Sequence, residues 1–161
     1  MNNSKVKVAA AAIAWLAIAA AVFIASLGGG NLVLRDGDTG QEFAKYPMEA
    51  GEEFSITFIH SVNATPVTDY YDVDGEGTIT LLRTEYYGFG AGVPFDLNPG
   101  EELSYSDKDG AMVISGINRV IPDYLIFVGT VSDHTLRIGE KEISLRDLCG
   151  RNTKVRITYE P

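Results

Sequence analysis

The sequence predicts an all-β fold, an antiparallel β-sandwich or barrel-like domain preceded by one N-terminal transmembrane helix. Two features carry that prediction. Residues 8–27, VAAAAIAWLAIAAAVFIASL, are apolar at 19 of 20 positions and hold no charge. Beyond them the helical period disappears, and short alternating runs are separated by Asp-Gly and Pro-Gly turn signals. The charges are distributed in the same way. All 22 Asp and Glu follow the apolar run, whereas Lys5 and Lys7 precede it.

Taken in order, residues 1–7 form a short basic lead. An α-helix rises about 1.5 Å per residue, so residues 8–27 span about 30 Å, the thickness of a bilayer's hydrocarbon core. The flanking lysines keep the N-terminus in the cytoplasm and send the rest of the chain outside, giving a single-pass membrane protein with an extracytoplasmic domain. A cleaved signal segment and a secreted domain are the competing reading. The run is longer than a usual signal core, and no good small-x-small cleavage site ends it. Residues 28–31 read as a glycine-rich tether, and residues 32–161 as one β domain.

Eight segments suit strands: Leu32–Leu34, Phe54–Phe58, Thr78–Leu82, Met112–Ile114, Leu125–Val131, Leu136–Ile138, Ile143–Leu145 and Val155–Tyr159. Eight to ten strands are expected in all. Turns are signalled at Asp36-Gly37, Asp74-Gly75, Pro99-Gly100, Asp109-Gly110 and Gly139-Glu140. The only helical candidate is Ser144 to Cys149, which reads equally well as a strand and turn.

Composition excludes several functions. The acidic exported part repels phosphate backbones, which speaks against nucleic-acid binding. One cysteine cannot form an intramolecular disulfide. Cys149 reads as a buried small residue and His134 as an exposed turn residue. No cofactor motif is present.

Two stretches depart from plain strand-and-turn text. In Phe54 to Tyr71, a period of two places Phe54, Ile56, Phe58 and His60 on one face, so His60 continues an apolar face and needs partners such as Asp69 or Glu85. Pro66 stiffens the link between the His60 strand and the Asp69 strand. In Glu85 to Pro94, three glycines alternate with Phe89 and Ala91. No G-x-G-x-x-G spacing and no following helix are present, so a bulge or a loop packed over the sheet is favoured over a phosphate loop. A buried hydrogen-bond network is one reading of this region. A binding surface is another, suggested by Tyr70, Tyr71, Tyr86 and Tyr87.

The residues His60, Ser61, Val62, Thr65, Pro66, Val67, Asp69 and Tyr71, followed by Phe89, Gly90, Ala91, Gly92, Val93 and Pro94, resemble the DUF1850 family. The resemblance extends over most of residues 31–160. It implies a small exported protein of no assigned activity, often encoded beside TRAP transporters of the TAXI type, which take up organic acids with an extracytoplasmic solute-binding protein. Asp69 stands where the family commonly has Glu, one methylene longer.

Catalysis finds little support. A nucleophile set of His60, Ser61 and Asp69 is opposed by strand geometry, since adjacent residues point to opposite faces. The expectation is a membrane-tethered accessory or binding module without catalytic activity. Its partners would be the membrane, through residues 8–27, and a TRAP permease with its solute-binding protein. The network of His60, Ser61, Thr65, Pro66, Asp69, Tyr71, Glu85, Phe89, Gly90, Gly92 and Pro94 would supply its binding or structural core. The competing reading is a metal-binding enzyme or sensor centred on His60, Asp69 and Glu85, although no H-x-x-x-H or cysteine pair supports it.

Overall fold

A computed structural model describes residues 29–88, 93–94, 96–106 and 110–161. The anchor expected at 8–27 lies outside these residues, as do Phe89, Gly90 and Gly92. Among the described residues no helix is long and apolar enough to cross a membrane.

The described chain is all-β, with every strand pair antiparallel. Its strands are β1 (Gly30–Asp36), β2 (Glu42–Met48), β3 (Glu53–Ile59), β4 (Pro66–Val73), β5 (Ile79–Tyr86), β6 (Glu102–Tyr105), β7 (Met112–Ser115), β8 (Arg119–Ile121), β9 (Tyr124–Val128), β10 (His134–Ile138), β11 (Lys141–Ser144) and β12 (Thr153–Glu160). One short helix, α1 (Leu145–Cys149), lies between β11 and β12.

The strands form two sheets. The smaller runs β2-β1-β12-β9, and the larger runs β11-β10-β3-β4-β5-β7-β6 with β8 also on β5. Alternation along the strands explains how the two meet. Leu32 and Leu34 of β1 and Val155 and Ile157 of β12 share one core with Phe54 and Ile56 of β3, Tyr71 of β4 and Leu136 of β10. Each such side chain contributes about 1.5–3 kcal/mol by leaving water. At the centre, Phe54 stacks on Tyr71 at 5.2 Å, and Tyr124 of β9 closes over Tyr71 at 4.7 Å. Tyr71 is therefore a core residue, 4% exposed, and not part of a surface patch.

Turn chemistry matches the sequence where Asp leads. Asp36 Oδ1 accepts the N–H groups of Asp38 and Thr39, and Asp74 Oδ1 accepts those of Glu76 and Thr78. These bonds hold both carboxyls below the usual range, the Thr39 N–H contributing most at Asp36 and the Thr78 N–H at Asp74. Ser144 caps α1 by accepting the Asp147 N–H at 3.0 Å. Cys149 is half-buried and donates to the Leu145 carbonyl, and burial pushes its thiol pKa up.

The strand expected over Leu125–Val131 stops at Val128. Gly129 to Asp133 turn away instead, and Asn152 N–H takes the Val128 carbonyl.

The two ends of the domain differ. Gly30, where the chain enters, faces Met48, whose carbonyl accepts the Tyr159 hydroxyl; nearby, Gly51 N–H reaches Val73. At the other end Asp36 faces Val155, and Ile59 N–H donates to Ser132 Oγ at 3.1 Å. β1 separates these ends by about 20 Å at roughly 3.3 Å per residue.

Candidate functional site

The far end, remote from Gly30, holds an open cleft of about 560 Å³. Its walls are the β3–β4 turn, with Ile59, His60, Ser61 and Ala64, and the β9–β10 loop from Gly129 to Ser132. Most of the lining is apolar. Val131 is 92% exposed and Ile59 44%; Val62, in the same β3–β4 turn as His60, is exposed too. The volume falls within the roughly 300–1,000 Å³ of ordinary small-molecule sites.

His60 does not continue the apolar face of β3. The strand ends at Ile59, and the chain turns through His60 to Thr65, with His60 N–H bonded to Thr65 O and Ala64 N–H to His60 O. Ala64 takes φ +53° to close this turn. The imidazole finds its partner locally, Nδ1 accepting the Val62 N–H at 3.3 Å. In the neutral ring the proton then sits on Nε2, which is left as a donor. Ser61 is exposed on the same turn.

The opposite wall is built with more bonds. Asp133 Oδ1 accepts the His134 N–H at 2.7 Å and the Arg146 N–H at 3.0 Å, while Oδ2 accepts the Ser144 hydroxyl at 2.6 Å. Arg146 in turn holds the Val131 carbonyl at 3.0 Å. Burial acts to raise the Asp133 pKa. The bonds from Ser144, Arg146 and His134 outweigh it and leave the carboxyl below its ordinary value. His134 is not an exposed turn residue: it opens β10, half-buried against Phe58 with ring centroids 5.6 Å apart. Burial lowers its pKa.

The structure separates the other predicted residues. Asp69 pairs with Ile56, four residues along β3 from His60, a distance of about 13 Å. Glu85 pairs with Thr68, so the pleat places it on the outward face, whereas Asp69 points inward with Tyr71. His60, Asp69 and Glu85 therefore do not converge, and neither carboxylate is a partner of His60. Among the described residues no group of three or more His, Cys, Asp and Glu is placed to hold a metal ion.

Each carboxylate instead pins its own face. Asp69 accepts from Thr84 Oγ1 at 2.6 Å and from the Tyr71 hydroxyl at 3.4 Å. Burial dominates there and raises its pKa, and the phenols of Tyr71 and Tyr86 rise through burial and then through its charge. On the outward face Glu85 Oε2 accepts from Tyr70 at 3.0 Å and Tyr87 at 3.1 Å.

Because the folded pKa of Asp69 lies above the unfolded 3.8, stability falls as pH rises from that value through the folded one. Asp69→Asn is expected to raise the midpoint temperature by a few degrees near neutral pH and to have no such benefit below pH 3.8. Thermal unfolding across pH checks both parts.

Thr65 and Pro66 join the two motif stretches. Tyr87 N–H donates to Pro66 O at 3.1 Å, and Gly88 lies so close to Thr65 that a β-carbon there would meet its side chain at 2.7 Å. Gly88→Ala is expected to cost about 1–2 kcal/mol in denaturant unfolding, since Thr65 must shift to admit the methyl. Pro94 is exposed beyond this junction.

The fold and site thus define an all-β domain with an open apolar cleft at one end and two separate carboxylate–tyrosine clusters in its larger sheet. The chain belongs to the DUF1850 family, a domain of unknown function, whose model matches residues 54–145. That span takes in the larger sheet from Phe54 onward and both walls of the cleft. No curated protein and no solved structure matches the chain.

The sequence pointed to His60 and Ser61 but missed the Gly129–Ser132 wall and Asp133. The available signal was Gly129-Thr130-Val131-Ser132-Asp133, a Gly/Ser/Asp-containing breaker inside an apolar run.

Proposed function

We propose that this protein is a membrane-tethered extracytoplasmic accessory or binding module of a TRAP-type (TAXI) solute transporter, without catalysis of its own. Its partner meets the His60 cleft. The observation that carries the reading is the position of the cleft, at the end of the domain away from Gly30. A domain held at the membrane by residues 8–27 presents that end outward, towards a permease loop or a solute-binding protein.

Apolar rims of this kind suit protein contact. Val131 and Ile59 are exposed together in the cleft lining, and exposed apolar side chains that cluster mark interaction sites. The family resemblance supplies the transporter neighbourhood.

Membranes solubilised in mild detergent are expected to yield the neighbouring permease or its solute-binding protein together with the wild-type chain. Val131→Asp places a charge on the rim and is expected to reduce recovery about tenfold, with stability changed by less than about 0.5 kcal/mol. Repeated absence of both proteins from wild-type preparations would overturn the partner claim.

A further inference from the structure

The outward face of the larger sheet carries a second recess that the transporter reading does not use. It is a groove of about 210 Å³ across β10, β3 and β4. Its floor is made of hydroxyl side chains: Ser55 and Thr57 from β3, Thr68 from β4 and Thr135 from β10. Thr57 pairs with Thr68 on one side and Thr135 on the other, so the ladder itself sets the three threonines in one row. Arg137 and Glu142 form one wall, Tyr70 and Tyr87 the other.

Two features show hydrogen-bonding capacity left over for a guest. Ser55 is 5% exposed as a residue and lines the groove. Its hydroxyl is not among the sealed, unpartnered polar atoms of the described residues, which are His134 Nδ1 and Arg146 Nε, so it opens into the groove where a guest can reach it. Thr57 and Thr68 share a single bond of 2.9 Å, and whichever donates, the other keeps its proton.

Charge decides the class of ligand. Arg137 is already paired with Glu142 at 2.7 Å, and Arg83 with Glu53 at 2.8 Å. Glu85 is engaged by both phenols. An anion or a cation would find no free counter-charge. The Tyr70 ring adds an apolar surface. Arg83 covers one face of it at 3.8 Å, and Tyr70 lines the groove beside Ser55, its pairing partner on β3.

A hydroxyl floor, a tyrosine face and balanced charge together match the chemistry of a pyranose, whose O–H groups pair with hydroxyls and whose C–H face packs on an aromatic ring. We propose that this groove binds a neutral saccharide. Its volume lies below the roughly 300–1,000 Å³ of drug-sized sites, so it holds one ring at a time, as a free sugar or as one unit of a glycan chain.

The full-length chain, kept in a detergent without a sugar headgroup, would be titrated with glucose, galactose, N-acetylglucosamine and β-1,4-linked N-acetylglucosamine oligomers. Saturation-transfer NMR and calorimetry would read the binding. At least one neutral sugar is expected to bind saturably at about 0.1–10 mM. Tighter binding of oligomers than of monomers assigns the site to a glycan chain, and equal binding per ring assigns it to a free sugar.

Tyr70→Leu, and Ser55→Ala as a variant that removes only one hydroxyl, are each expected to weaken binding about tenfold or more without loss of folding. Val131→Asp, at the other site, is expected to leave sugar binding unchanged. No saturable binding by folded wild-type protein up to about 10 mM, or wild-type affinity in both groove variants, would overturn the proposal.

Discussion

Phe54→Ala is expected to cost about 3–5 kcal/mol, read as a fall in the denaturant midpoint of the domain. Phe54 is 1% exposed and stacks on Tyr71, with Tyr124 6.4 Å away on the other sheet. Truncation removes the ring that joins β3 of one sheet to β9 of the other, and the surrounding strands are too firmly hydrogen-bonded to close the space. The loss also frees Tyr71, whose hydroxyl is one of the two donors holding Asp69. A loss of less than about 1 kcal/mol would show that the sheets do not depend on this contact.

Asp133→Ala is expected to cost about 2–3 kcal/mol and to loosen one wall of the cleft. Three donors lose their acceptor at once: the His134 and Arg146 N–H groups and the Ser144 hydroxyl. Bonds to a charged acceptor are each worth more than ordinary ones, and donors left unpaired add their own penalty. The pH dependence separates this from general damage. With its folded pKa below the unfolded 3.8, Asp133 contributes stability that is present above 3.8 and lost as pH falls through the folded value. Asp133→Ala should therefore lose that acid limb, the opposite of the effect at Asp69. Partner recovery should also fall, because Arg146 loses one of the bonds that place it under Val131.

The all-β class and the central strands were legible because they alternate. Both Phe54-Ser55-Ile56-Thr57-Phe58 and Val155-Arg156-Ile157-Thr158-Tyr159 alternate apolar and polar residues, and β3 and β12 are found there; β12 buries every second residue, while β3 also covers Ser55 and leaves Phe58 half-buried. The strands without a clear signal lie at edges or are very short. β2 ends a sheet, carries Pro47 and shows a mixed burial pattern. β6 is exposed throughout, and β8 has three residues. An edge strand meets water on more sides, so nothing forces it to alternate.

The site was legible only in part, for a related reason. Period two holds while a strand continues, and β3 stops one residue before His60. The tyrosines illustrate the same limit. Tyr70 and Tyr71 are adjacent in sequence, but one faces out to Glu85 and the other lies in the core. Which of the two is buried is set by pairing with β3, where Tyr71 lies opposite Phe54 and Tyr70 opposite Ser55. That partner lies outside the Tyr-Tyr pair, so the pair alone does not reveal it.

The pairing of β1 with β12 has a consequence for how the protein is made. Arg35 bonds Thr158 across 123 residues of chain. At a synthesis rate of about 5–20 residues per second, the first strand waits roughly 6–25 s for its neighbour to exist. During that interval Leu32, Val33 and Leu34, fully buried in the finished domain, belong to a two-stranded ribbon with an open edge. The nascent chain is therefore most exposed to mispairing before its last strand arrives. Removing β12 would make that hazard permanent, since β1 and β9 would both be left with bare edges.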